Sequence, residues 1–243
     1  MTSNENKILN QILYGPPGTG KTYNTKKLAV EIANPNFSFD ALASSEEIRK
    51  AIVDEYDLLC KSGQIVFTTF HQSMSYEDFV EGIKAETNDG EVLYDVKDGI
   101  FKNLCTIAED NWSDVKKGNK TELPFEEAFN KLKDEWEEDE EMKFPLVREG
   151  NDYTILGFTK SSIQFKKASG GTGHTLSIAT LRDIYYGRRE MSKNGVGIYY
   201  PALLKKLKEY QPTEDKEKEL KNYVLIIDEI NRGNMSRIFG ELI

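Results

Sequence analysis

Gly15-Pro16-Pro17-Gly18-Thr19-Gly20-Lys21-Thr22 fits the pattern of glycine, four residues, glycine, lysine and a hydroxyl residue. It lies between an apolar run, Ile8 to Tyr14, and a helically spaced segment, Thr22 to Ala33. A strand feeding a glycine-rich loop that opens a helix is a phosphate cradle. Glycines let backbone N–H groups converge on phosphate oxygens, because a Cβ would block the approach or forbid a positive φ. Lys21 is placed to reach the β and γ phosphates, the Thr22 hydroxyl is placed to ligate Mg²⁺, and the helix turns its positive dipole end toward the anion. Tyr23 follows directly and is counted with the loop as a nucleotide-site residue.

A second signal lies 200 residues later. Val224-Leu225-Ile226-Ile227 is an apolar, β-branched run that ends in Asp228-Glu229. Such a run reads as a buried parallel strand. Its terminal Asp228 could hold a Mg²⁺ shell, and Glu229 could polarise a water attacking the γ-phosphate. Four apolar residues before two acids mean little alone. Paired with the phosphate loop, they imply hydrolysis of a nucleoside triphosphate by in-line phosphoryl transfer.

Ser44-Ser45 before Glu46-Glu47 starts a helix through Leu59, and Ile65 to Phe70 is a strand. Tyr76 to Ala85 and Ile100 to Asp110 read as helices. Strands alternating with helices give an α/β fold. Residues 112–222 look different. Glu122 to Glu141 is helical with ten acidic and two basic residues, whereas Lys160 to Lys208 holds ten basic and two acidic. Tyr153 to Phe158, Ser162 to Lys167 and His174 to Ile178 read as hairpin strands around the Ser169–Gly173 turn. The expected organisation is a core over 1–111, an inserted α+β module over 112–222, and a return to the core over 223–243.

The net charge of −9 argues against a protein that coats nucleic acid over its whole surface, but it conceals this bipolar middle. Phe165, Tyr185, Tyr186, Tyr199 and Tyr200 interleave the basic block, so it could meet a phosphate backbone. Equally, the aromatics could be core and the lysines solvent; the bipolar stretch could meet DNA, a partner subunit or its own acidic helix. Gly170-Gly171-Thr172-Gly173 has no following lysine and reads as a turn. His71 and His174 have no cysteine, histidine or acid at metal spacing, so no metal beyond Mg²⁺ is expected. Cys60 and Cys105 are too few for a disulfide framework, and the polar start Met1 to Lys7 is unlike a signal peptide. A reduced, cytoplasmic protein is expected.

The loop with its two prolines resembles that of the AAA+ class of ring-forming motors. Three stretches narrow the resemblance: Phe67-Thr68-Thr69-Phe70-His71-Gln72-Ser73; Tyr76-Glu77-Asp78-Phe79-Val80-Glu81-Gly82; and Ile227-Asp228-Glu229-Ile230-Asn231-Arg232 with Phe239-Gly240-Glu241-Leu242. Together they resemble the McrB family, the motor subunit of modification-dependent restriction systems. The resemblance covers about residues 7–110 and 223–243, and the middle only loosely. It implies a P-loop NTPase parallel sheet, a ring (often a hexamer), hydrolysis of GTP or ATP with Mg²⁺, and work with a McrC-like nuclease subunit on methylated DNA. By the same resemblance Gly15, Pro16, Pro17, Gly18, Thr19, Gly20, Lys21, Thr22 and Tyr23 form the nucleotide cradle. Thr22 and Asp228 take the metal, and Lys21 and Glu229 are catalytic. Asn231, Arg232 and Arg237 match the family without a derived role.

The family's sensor asparagine, arginine finger and lid would all lie beyond Ile243. The chain is therefore expected to be the N-terminal part of a longer protein, with weakened nucleotide binding and little hydrolysis. Its sheet should show a gap between the strand before the phosphate loop and the strand carrying Asp228. Two rival readings keep the fold: a non-catalytic, nucleotide-gated scaffold, and a remodelling chaperone unrelated to DNA.

Overall fold

The structure, a computed structural model, describes residues 10–16, 20–39, 44–88, 91–117, 122–146, 151–192, 194–211 and 219–240, save the side chains of 22–23, 84–88, 91–95 and 117. It is a mixed α/β chain that divides into two compact units. The first comprises Met1–Val80, Ile100–Leu104 and Lys221–Ile243; the second comprises Glu81–Gly99 and Cys105–Leu220.

In the first unit, α1 (Lys21–Ala33) and α2 (Ser45–Lys61) precede strand β1 (Ile65–Thr69). Helix α2 starts where a capping box closes: the Glu47 backbone N–H donates to Ser44 Oγ at 3.3 Å, and the Ser44 N–H donates to Glu47 Oε2 at 2.8 Å. Hydrogen bonds donated by the Ser44 N–H and by its hydroxyl to Oε2 hold the Glu47 carboxyl below its ordinary value. The helix carries Ile52, Tyr56 and Leu59 on one buried face, at the spacing of a single helical stripe.

Strand β8 (Val224–Asp228) lies parallel to β1, with Ile65 opposite Val224 and Thr69 opposite Asp228. One side of this pair packs Ile65 and Ile226 against Ala29, Val30 and Ala33 of α1 and the buried face of α2. A second cluster joins Phe70, Met74, Phe79, Val80 and Ile238, with Leu225 and Ile227 against it. It draws on α3 (Tyr76–Phe79) and α8 (Met235–Phe239). Phe79 lies at its centre, meeting Phe70 and Phe239 edge-on and stacking on Phe101.

The strand expected over Ile8 to Tyr14 is not present over its described residues 10–14; Ile8 and Leu9 lie outside the description. Ile12, Leu13 and Tyr14 are 79%, 44% and 92% exposed. Among the described strands, β8 has only β1 beside it, so the segment has no ladder to join.

The second unit begins with a ribbon, β2 (Glu81–Asn88) and β3 (Glu91–Asp98), paired antiparallel from Glu81–Asp98 to Asn88–Glu91. The spacing predicts a helix from Tyr76 through Ala85. Only one turn forms before the chain switches to strand, and Asp89-Gly90 between the two runs is a two-residue hairpin signal that helical spacing alone does not register. Helix α4 (Ile100–Lys117) follows. Strands β4 (Lys143–Pro145), β5 (Asp152–Phe158), β6 (Ser162–Lys167) and β7 (His174–Ser177) form an antiparallel sheet in chain order. Helices α5 (Phe125–Glu138), α6 (Ile178–Tyr186) and α7 (Tyr200–Glu209) share its core: Phe129, Leu132, Ile155, Ile163, Leu181 and Leu203 are buried together. Both α6 and α7 fall within the basic block, where the sequence reading places no helix.

Three side-chain donors of this core find backbone carbonyls. Tyr153 Oη donates to the Tyr199 carbonyl at 2.7 Å, Tyr185 Oη to the Leu123 carbonyl at 2.6 Å, and Trp136 Nε1 to the Ile155 carbonyl at 3.0 Å. Each bond removes the desolvation cost of an otherwise orphaned donor.

Candidate functional site

Gly20 caps α1 in the left-handed region at φ 76, and a Cβ built on it would meet nothing within 4 Å. Backbone conformation, not crowding, asks for glycine there. Lys21 is the first residue of the helix. Its Nζ donates to the carbonyls of Gly15 at 2.6 Å and Pro16 at 2.7 Å, so the ammonium folds back on the start of the loop. Thr25 Oγ1 donates to the Lys21 carbonyl, holding the first turn. Pro17, Gly18 and Thr19 lie outside the described residues, as do the side chains of Thr22 and Tyr23.

At the other motif, Asp228 ends β8. Its carbonyl accepts the Phe70 N–H at 2.9 Å, which fixes the end of the strand against β1. Its side chain is exposed. Glu229 follows at φ 52, the one described non-glycine residue with a positive φ. It caps a 3-10 turn, Ile230–Arg232, and that turn brings Arg232 back over it. Arg232 Nε lies 3.0 Å from Glu229 Oε2, and the Arg232 N–H donates to the Glu229 carbonyl at 2.8 Å. The three-residue spacing of glutamate and arginine is the one trace of this pair in the sequence.

Helix α1 and strand β8 share a core through Ala29, Val30, Ala33 and Ile226. Among the described residues, no hydrogen bond or ion pair links Lys21 to Asp228 or Glu229. Nor do the described residues gather three or more histidine, cysteine or acidic side chains as a metal cluster. His71 bonds Ser73 through Nδ1 at 2.8 Å.

Four cations of the basic block are paired with acids. Lys206 lies 2.6 Å from Glu135 and Lys208 3.2 Å from Glu122, both acids of the acidic stretch. Arg182 pairs with Glu126 and with Asp110, and Arg188 sits 2.6 Å from Asp110 and 3.2 Å from Ser113 Oγ. Burial pushes the Asp110 carboxyl up, and the hydrogen bond from Arg188 opposes it. All five interleaved aromatics, Phe165, Tyr185, Tyr186, Tyr199 and Tyr200, are buried. They are core, and they offer no stacking platform for bases.

No family model matches the chain. A comparison with characterised proteins gives 33% identity over 101 residues to the EcoKMcrB subunit of a type IV methyl-directed restriction enzyme from Escherichia coli strain K12. Part of this chain is similar to McrB. The match covers 42% of this chain and only 16% of that protein. The relationship is partial and distant, and it agrees with the family that the motifs resemble. Among the described residues, no helix is long and apolar enough to cross a membrane.

Proposed function

We propose that this chain carries the nucleotide-binding part of a McrB-like AAA+ motor, a P-loop NTPase that hydrolyses GTP or ATP. The observation that carries the reading is a left-handed Gly20 opening α1 at Lys21, on a helix that shares its core with the strand ending in Asp228-Glu229. The partial similarity to McrB supports it independently. In this reading residues 1–111 and 223–243 belong to the motor and 112–222 to an insertion. Gly15, Pro16, Pro17, Gly18, Thr19 and Gly20 wrap the phosphates, with Tyr23 beside them. Lys21 exchanges the Gly15 and Pro16 carbonyls for β- and γ-phosphate oxygens.

The Thr22 hydroxyl and the Asp228 carboxylate are hard oxygen donors of the kind Mg²⁺ accepts, and together they would hold it. When bound, the ion neutralises charge on the β and γ phosphates. Glu229 takes a proton from water as the water oxygen bonds to the γ-phosphorus and the bridge to the β-phosphate breaks. A ring of copies, a McrC-like nuclease subunit and DNA are the proposed partners, in the cytoplasm.

The test is steady-state turnover of GTP and of ATP by the longest natural chain and by its Lys21→Ala and Glu229→Gln variants. Loss of a general base costs about 100-fold or more, so Glu229→Gln should fall at least that far while still binding nucleotide. Undiminished hydrolysis in both variants would sink the roles assigned.

A further inference from the structure

Glu229 combines two features found together nowhere else among the described residues: a strained backbone and a charged neighbour that closes on it. A non-glycine residue in the left-handed region costs about 1 kcal/mol or more and persists only where its surroundings hold it. Here Arg232 supplies both holds, its backbone N–H on the Glu229 carbonyl and its guanidinium on Oε2. The grip engages one carboxylate oxygen, Oε2, and not the other.

We propose that Arg232 is a positioning residue: through the Nε–Oε2 contact it sets the direction in which Glu229 presents its other oxygen to the attacking water. This role rests on the nucleotide-hydrolysis reading above. The pair is exposed, 68% for the Arg232 side chain and 39% for Glu229, so the bias it supplies is modest. An exposed ion pair contributes at most about 1 kcal/mol, which corresponds to about five-fold in rate. Because Arg232 acts on the base and touches no phosphate, the effect belongs in kcat.

The experiment compares GTP and ATP turnover by the longest natural chain with those of its Arg232→Ala, Arg232→Gln and Arg232→Lys variants, using Glu229→Gln as reference. The expected result is a fall of about five-fold in kcat for Ala and Gln, KM within about two-fold of wild type, and partial recovery with Lys. An unchanged or raised kcat, or a KM that rises in step, overturns the proposal. Thermal melting identifies any variant that fails to fold, and the remaining substitutions then decide. If Glu229→Gln turns over like wild type, the hydrolysis reading itself fails and takes Arg232 with it. If Glu229→Gln is dead while the Arg232 variants are normal, only the Arg232 role is lost.

Discussion

Gly20 and Glu229 both adopt the left-handed region, at φ 76 and φ 52, and each caps the helical element that follows its motif. At Gly20 the conformation is free of side-chain cost. Replacing it with alanine adds a Cβ that meets no atom, so the penalty isolates backbone strain. Gly20→Ala should lower stability by about 1 kcal/mol, a drop of about 2–4 °C in melting temperature for a chain of this size. Differential scanning calorimetry checks it, and no change in melting would mean that the turn relaxes. The glycine requirement is legible in the sequence because the motif itself encodes it. The grip of Arg232 on Glu229 is not, because nothing in Ile230-Asn231-Arg232 announces a 3-10 turn that folds the arginine back.

The elements show the same division. Strands β1, β6 and β8 and helices α1, α2 and α5 lie close to where apolar period and turn residues put them. What the sequence hides depends on partners distant in the chain. Tyr76 to Ala85 has helical spacing, yet β3 offers eight cross-strand positions and takes the second half of the segment into a ribbon. Ile8 to Tyr14 has the composition of a strand, yet no described strand receives it. Helix α7 lies in the basic block, and its Lys206 answers Glu135 of α5 rather than facing water alone.

That pairing has a pH signature. Burial works to raise the Glu135 carboxyl, and hydrogen bonds from Lys206 and Tyr210 outweigh it and hold the group below its ordinary value. A carboxyl depressed in the folded state adds stability above its ordinary value and loses it as pH falls through the folded value. With side chains 30% and 41% exposed, the pair is worth only about 0.5 kcal/mol after solvent screening. Glu135→Gln should therefore melt about 1–2 °C below wild type at neutral pH, and the gap should close as both are acidified below the carboxylate range. A gap that persists in acid would place the stabilisation elsewhere.

Over the whole molecule, the acidic and basic stretches that cancel in the net charge also meet in space within the second unit, through Glu135–Lys206, Glu122–Lys208 and Glu126–Arg182. Within the basic stretch this leaves Lys160, Lys166, Lys167, Arg189 and Lys205 as cations with no ion pair among the described residues, and any contact with a phosphate backbone falls to side chains of that kind. The first unit holds helix α1 and strand β8, which ends in Asp228, in one core, and the proposed nucleotide binding there is the claim on which the rest depends. Isothermal titration of GTP and ATP with Mg²⁺ into wild type and Lys21→Ala tests it directly. Wild type should bind at least one triphosphate saturably, and Lys21→Ala should weaken that binding ten-fold or more, about 1.4 kcal/mol. Equal affinities in the two proteins, or no binding of either nucleotide by wild type at millimolar concentration, would contradict it.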